Sequence, residues 1–260
     1  MVWKGMDSGA VSALQGVFNS QYNLLINVPV AVATAMSASV VPGIAALRSM
    51  GKEQEVRQKT ASVIKINMLI AFPSMAGLMV LAKPIMMMLF PSIRDYWDVA
   101  AGLLVYGSSA VVFYTLATIT SAVLQSVNQM RLPVFHAGAS LAVHVLIVAG
   151  LLYYTELGVY AVMIGNILFP LMISLLNLRS LSVRLRYRPE LCRSFLLTLG
   201  CSAVMGAAVF LIYKGARVLL SANTPAVLAA IVFGGILYLV LVGKLHGLTE
   251  EEMRELRLKK

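Results

Sequence analysis

The sequence predicts an all-α integral membrane protein with about seven transmembrane helices, and three observations carry that prediction. The 260 residues are 59% apolar and only 12% charged, where a soluble domain carries roughly 25% charge. Mean hydropathy is +0.83. The 11 acidic residues all lie outside the long apolar runs: Asp7, Glu53, Glu55, Asp95, Asp98, Glu156, Glu190, Glu250, Glu251, Glu252 and Glu255. Charge at the middle of a bilayer costs about 2.5–3.5 kcal/mol per residue on insertion scales, so a lipid-embedded chain must exclude it.

The elements follow in order. No charged residue occurs from Ser8 to Leu47. The first part of that run is polar and the second apolar, which predicts a helix from about Val17 to Leu47 with its span near Leu24–Leu47 and with Pro29 and Pro42 inside or at its end. Arg48–Lys65 is a charged connector, expected to form a short interfacial helix running into a second span at Ile66–Ala82. Ile85–Phe90 reads as a Met-rich apolar turn anchored at the membrane surface. The third span lies within Val99–Gln125, the fourth at Leu132–Tyr154, the fifth at Leu157–Leu178. A basic loop with Arg179, Arg184, Arg186, Arg188 and Arg193 leads to a sixth span, Ser194–Tyr213, and a seventh, about Pro225–Gly243, with Asn223 or Thr224 as its helix cap. In the tail, Thr249 and Glu252 match a capping box, which predicts a short helix. The organisation expected is five spans over residues 1–183, two more over 184–247, and a tail helix over 248–260.

Basic residues set the orientation. With the Arg48–Lys65 connector placed in the cytoplasm, alternation puts 16 of the 21 Lys and Arg on the cytoplasmic side, and the C-terminus with them. The net charge of +10 is therefore a topology signal, not a nucleic-acid surface, because the bases cluster between apolar runs and form no stripe with aromatics. An external N-terminus without a signal-peptide pattern leads to the expectation that the sequence begins partway through a longer protein. Cys192 and Cys201 have no metal-ligand spacing and read as unpaired thiols.

Polar side chains inside spans should face protein or water. Gln15, Asn19, Asn23 and Asn27 recur at steps of four and share one slowly drifting helix face. Tyr114, Thr118, Ser121 and Gln125 form a second stripe in the third span. Both stripes are candidates for the wall of a substrate pathway, hydrogen-bonding sugar hydroxyls; contacts between helices are the competing reading. His136, Ser140 and His144 share a face of the fourth span, but two histidines eight apart without a carboxylate make no metal site. Asn166 and Asn177 read as structural. The small-residue pairs Gly138/Ala142, Ala161/Gly165 and Ser202/Gly206 read as close helix contacts. No phosphate loop, zinc-protease, nucleophile-elbow or dinucleotide motif is found, so neither catalysis nor a metal or other cofactor is expected.

Several motifs occur together in a fixed order. Tyr22-Asn23-Leu24-Leu25-Ile26-Asn27-Val28-Pro29 is followed by Ala33-Thr34-Ala35 and Val40-Val41-Pro42-Gly43-Ile44. Next come Gly51-Lys52-Glu53-Gln54-Glu55-Val56-Arg57-Gln58-Lys59, Pro84-Ile85-Met86-Met87-Met88-Leu89-Phe90 and Gln125-Ser126-Val127-Asn128-Gln129-Met130-Arg131-Leu132-Pro133. This series resembles the oligosaccharidyl-lipid and polysaccharide flippases, most closely their stage V sporulation protein B-like branch. The resemblance runs from about Tyr22 to the tail. It implies helices 8–14 of a 14-helix, two-lobed fold, in the bacterial cytoplasmic membrane. The implied activity is movement of an undecaprenyl-linked oligosaccharide or peptidoglycan precursor by alternating access. The implied partners are that lipid-linked sugar, membrane lipids and a missing N-terminal lobe. Lipid II flippases of the superfamily resemble the chain but carry an arginine one turn before the helix proline, where this chain has Leu24 and Leu25. Two other functions compete. A multidrug/cation antiporter of the related extrusion family would need intramembrane carboxylates; a truncated, non-transporting scaffold would need none.

Overall fold

The computed structural model describes residues 7–187, 195–220 and 222–245. Helix α1 (Ser8–Gly16), a π-helical segment (Val17–Tyr22) and α2 (Asn23–Ser49) form one continuous 42-residue helix. It starts well before the expected Val17 because the Asp7 carboxylate caps it, accepting from the Ala10 amide at 3.1 Å. The uncharged polar residues that follow do not break a helix. Pro29 and Pro42 both lie inside α2. At its end, Lys52 N–H donates to the Leu47 carbonyl and Gly51 N–H to Arg48, with Gly51 at φ +71°. That left-handed residue reverses the chain at small cost only because it is glycine.

The connector then runs directly into α3 (Glu53–Val80), whose first turn carries Glu53 and Glu55 as the helix dipole favours. Arg48 pairs with Glu53, and Lys52 with Glu55 at 2.9 Å. Helix α4 (Ala82–Leu89) replaces the expected surface turn. Its Met86 is fully buried, so the methionine run packs into the protein and is not simply a membrane anchor. A 3₁₀ segment (Pro91–Tyr96) leads to α5 (Trp97–Gly107) and α6 (Ala110–Ser126). The expected third span is thus two helices, bent by 48°. Helices α7 (Arg131–Tyr154), α8 (Val159–Leu185), α9 (Leu197–Leu220) and α10 (Asn223–Lys244) complete the described chain.

The chain is an all-α integral membrane protein. Among the described residues six helices are long and apolar enough to cross a membrane, and seven if the bent α5–α6 pair counts as one span. Arg179 and Arg184, read as loop residues, sit in the last turns of α8, which extends to Leu185. Asn223 does not cap α10. Its amide donates to the Pro84 carbonyl at 2.9 Å while its oxygen accepts from Tyr213 at 3.0 Å, joining α9 and α10 to α4. The predicted tail helix, with Thr249 and Glu252, and Cys192 lie outside the described residues.

Helix α6 sits at the centre, packed against α2, α3 and α8; α7 flanks α8, α9 flanks α3, and α10 packs on α9 and α4. Lipid is as apolar as leucine, so close packing and hydrogen bonds must hold these helices together. Two contacts illustrate how. Tyr22, fully buried at the end of the π segment, donates from its hydroxyl to the Gly107 carbonyl at 3.1 Å, closing that segment onto the α5–α6 bend. Pro73 has no N–H for the Leu69 carbonyl four residues earlier, and Tyr238 from α10 donates to that carbonyl at 2.7 Å. Among the small pairs, Gly165 and Gly206 face neighbouring side chains, but Gly138 meets nothing within 4 Å and Ala142 is exposed, so that pair makes no helix contact.

Candidate functional site

Two adjoining polar cavities open between α2, α6, α7 and α8. The first, about 580 Å³, takes Asn19 from the π segment, Asn23 and Asn27 from α2, Tyr114 from α6, His144 from α7 and Asn166 from α8. The second, about 500 Å³, takes Thr34 and Ser37 from α2 and Thr118, Ser121 and Gln125 from α6. Tyr114 and Phe169 line both, so the two polar stripes seen in the sequence converge on one groove. Gln15 alone of the eight candidates lies away from it, exposed on α1. It lies in α1, ahead of the π segment.

Asn166 is the hub. Its Oδ1 accepts from the Tyr114 hydroxyl at 2.5 Å, and its Nδ2 donates to Asn23 Oδ1 at 3.1 Å. One amide thus ties α8 to α6 and α2. Pro170, four residues on, supplies no N–H to the Asn166 backbone carbonyl, which leaves a further acceptor beside the groove. Sequence reasoning took Asn166 as structural, since a lone amide in an apolar run looks the same whether it bridges helices or lines a cavity. Here it does both. The available signal was the proline four residues after it.

A second network lies behind the groove. Asn177, fully buried, directs Nδ2 at the Ala117 carbonyl (3.4 Å), Thr120 Oγ1 (3.1 Å) and Ser121 Oγ (2.8 Å). A carbonyl can only accept, so the amide orientation is fixed and Oδ1 faces His136 Nδ1 at 2.7 Å. That nitrogen therefore carries the proton, and Nε2 takes the Ser180 hydroxyl at 3.3 Å. The network joins α6, α7 and α8 and ties down Ser121 at the groove wall.

Chemically, the groove offers amides, hydroxyls and one imidazole, and among the described residues no charged side chain lines either cavity. Among the described residues no group of His, Cys, Asp and Glu suits a metal. A separate cavity of about 760 Å³, between α2, α3, α4, α9 and α10, is almost wholly apolar, lined by residues such as Val28, Pro29, Pro73, Leu81, Val209 and Leu239. The groove can bind hydroxyl-rich groups; this second cavity can take only hydrocarbon.

The lipid II flippase MurJ family model matches residues 6–217, most of the chain. A probable lipid II flippase MurJ of Bdellovibrio bacteriovorus is 25% identical over 77% of this chain and 38% of its own length. The lipid II flippase MurJ of Bacillus subtilis is 23% identical over 42% of this chain and 20% of its own length. The uncharacterized membrane protein YabM of Bacillus subtilis is 25% identical over 96% of this chain and 46% of its own length. The chain thus spans less than half the length of these relatives. No solved structure matches.

Proposed function

The chain belongs to the lipid II flippase MurJ family, and from that premise we propose that it forms one lobe of a flippase that carries a lipid-linked peptidoglycan precursor across the bacterial cytoplasmic membrane. The observation that carries this reading is the groove. Six polar groups converge at span depth with no carboxylate among them. Amides and hydroxyls match the hydroxyls of a sugar, and they lie open on one side of the helix bundle, where polar groups in a membrane need protein or water. A second lobe would close the groove into a chamber, and rocking of the two lobes would give alternating access. The apolar cavity beside α9 and α10 fits the hydrocarbon chain of the same substrate. The C-terminus faces the cytoplasm in this arrangement.

A cation antiporter is the second reading, and the carboxylate-free groove weighs against it. The test is complementation of cells depleted of their lipid II flippase. In the full-length protein, Asn23→Leu combined with Asn27→Leu should reduce rescue at least about tenfold in plating efficiency, since the leucines remove two groove amides and release Asn166 Nδ2 from Asn23. Rescue equal to the parent at matched membrane expression would sink the reading.

A further inference from the structure

Resting on that transport reading, we propose that His144 is a substrate contact: its protonated ring binds a phosphate oxygen of a polyprenyl-diphosphate sugar through Nε2–H. The ring is held from several sides. Nδ1 lies 2.9 Å from the Gly165 carbonyl. That carbonyl can only accept, so Nδ1 carries a hydrogen in every protonation state of the bound ring. The ring packs edge-to-face on Phe169, centroids 5.8 Å apart at 69°. Gly165 makes the approach possible, since a Cβ there would sit 2.8 Å from His144 Cε1 and overlap Val148. A glycine notch, a carbonyl anchor and an aromatic wall together fix the imidazole in one pose on the cavity wall.

With Nδ1 committed, Nε2 is left without a partner among the described residues. The groups facing the ring can be named by element. The π segment and α2 present Asn19, Asn23 and Asn27, α6 presents Tyr114, and α8 presents Asn166. Among the described residues Tyr114 is the only other titratable group lining the cavity, and its hydroxyl is spent on Asn166. On α7 itself, His136 is bound within the Asn177 network. His144 is therefore the one residue of the cavity able to offer an anion a positive charge, and charge-assisted hydrogen bonds to phosphate are about twice as strong as neutral ones. Neutral Nε2 only accepts, so it cannot bind a phosphate oxygen. Protonation converts it to a donor, and imidazole is the side chain suited to make that change in the physiological range.

The test measures binding of a polyprenyl diphosphate to the full-length protein in nanodiscs at about pH 5.5 and about pH 8. Wild type should bind on the order of tenfold tighter at the lower pH. His144→Gln, which keeps a polar side chain without the charge, should bind with no pH dependence beyond that of the ligand. Nitrogen-15 histidine spectra of the wild type should show one ring, absent from His144→Gln, moving to the doubly protonated form when the diphosphate is added. Equal pH profiles for wild type and His144→Gln, or a ring unmoved by ligand, would overturn the proposal. So would equal competition by phosphatidylglycerol or inorganic phosphate, which would make this a general phosphate site. The assay is independent of transport: failed rescue by groove variants concerns the flippase reading, and a His144-dependent pH profile stands apart from it.

Discussion

At the scale of single residues, two glycines that look alike in the sequence have opposite surroundings. Gly107 ends α5 against the fully buried Tyr22, and a Cβ there would overlap the phenol ring, with Cζ at 2.7 Å. Tyr22 cannot retreat, because it stacks on Phe18 at 5.1 Å and donates to the Gly107 carbonyl. Gly107→Ala should therefore destabilise the protein by about 1–3 kcal/mol, the cost of overpacking a filled site. Gly138, mid-helix in α7, is exposed with nothing within 4 Å, and Gly138→Ala should change stability by no more than about 0.5 kcal/mol. Thermal unfolding of the two purified variants in one detergent checks both, and an equal loss would show that the Tyr22 contact is soft. The same contrast marks the limit of sequence reasoning at this scale. Steps of four bring Asn19, in the π segment, and Asn23 and Asn27, in α2, to one wall because one continuous helix carries all three. No spacing rule says which neighbour a glycine faces, or that Asn166 and His144 would complete that wall, since those facts depend on how α7 and α8 lie against α2 and α6.

At the scale of elements, the spans were legible because apolar length is dictated by bilayer thickness, while their interruptions were not. The bend at Gly107-Ser108-Ser109 and the helix start at Ser8 each lie within one long uncharged run. Prolines mark kinks in sequence but say nothing of what repairs them. In α3 the repair is specific, with Tyr238 of α10 taking the Leu69 carbonyl that Pro73 leaves unpaired. A double-mutant cycle separates this from ordinary packing. Tyr238→Phe should cost about 0.5–1.5 kcal/mol in the parent, the usual worth of a hydrogen bond plus an orphaned acceptor. In a Pro73→Ala background the helix supplies its own N–H to Leu69, so the same change should cost roughly half as much or less. Equal costs in both backgrounds would mean that the hydroxyl does not compensate for the proline. This coupling matters beyond stability, because it fastens α10 to α3 along the wall of the apolar cavity that Tyr238 also lines.

At the scale of the whole molecule, the arrangement of charge and the groove constrain one another. Sixteen of 21 basic residues fall on one side if the chain alternates across the membrane at every span. That alternation requires α5 and α6 together to count as a single crossing, which their 48° bend permits, because a bent pair still carries the chain from one face to the other. If the α5–α6 pair were instead a re-entrant loop that returned to its starting face, every later connector would change sides, and Arg131 and the Arg179–Arg186 group would leave the side of the Arg48–Lys65 connector. Single cysteines placed at Gly51, Asn128 and Leu245, in a background with Cys192 and Cys201 replaced by serine, decide between these arrangements. All three positions should resist a membrane-impermeant maleimide in intact cells and react only after permeabilisation. Labelling of Asn128→Cys in intact cells while Gly51→Cys stays protected would show that the α5–α6 pair returns to its starting face instead of crossing.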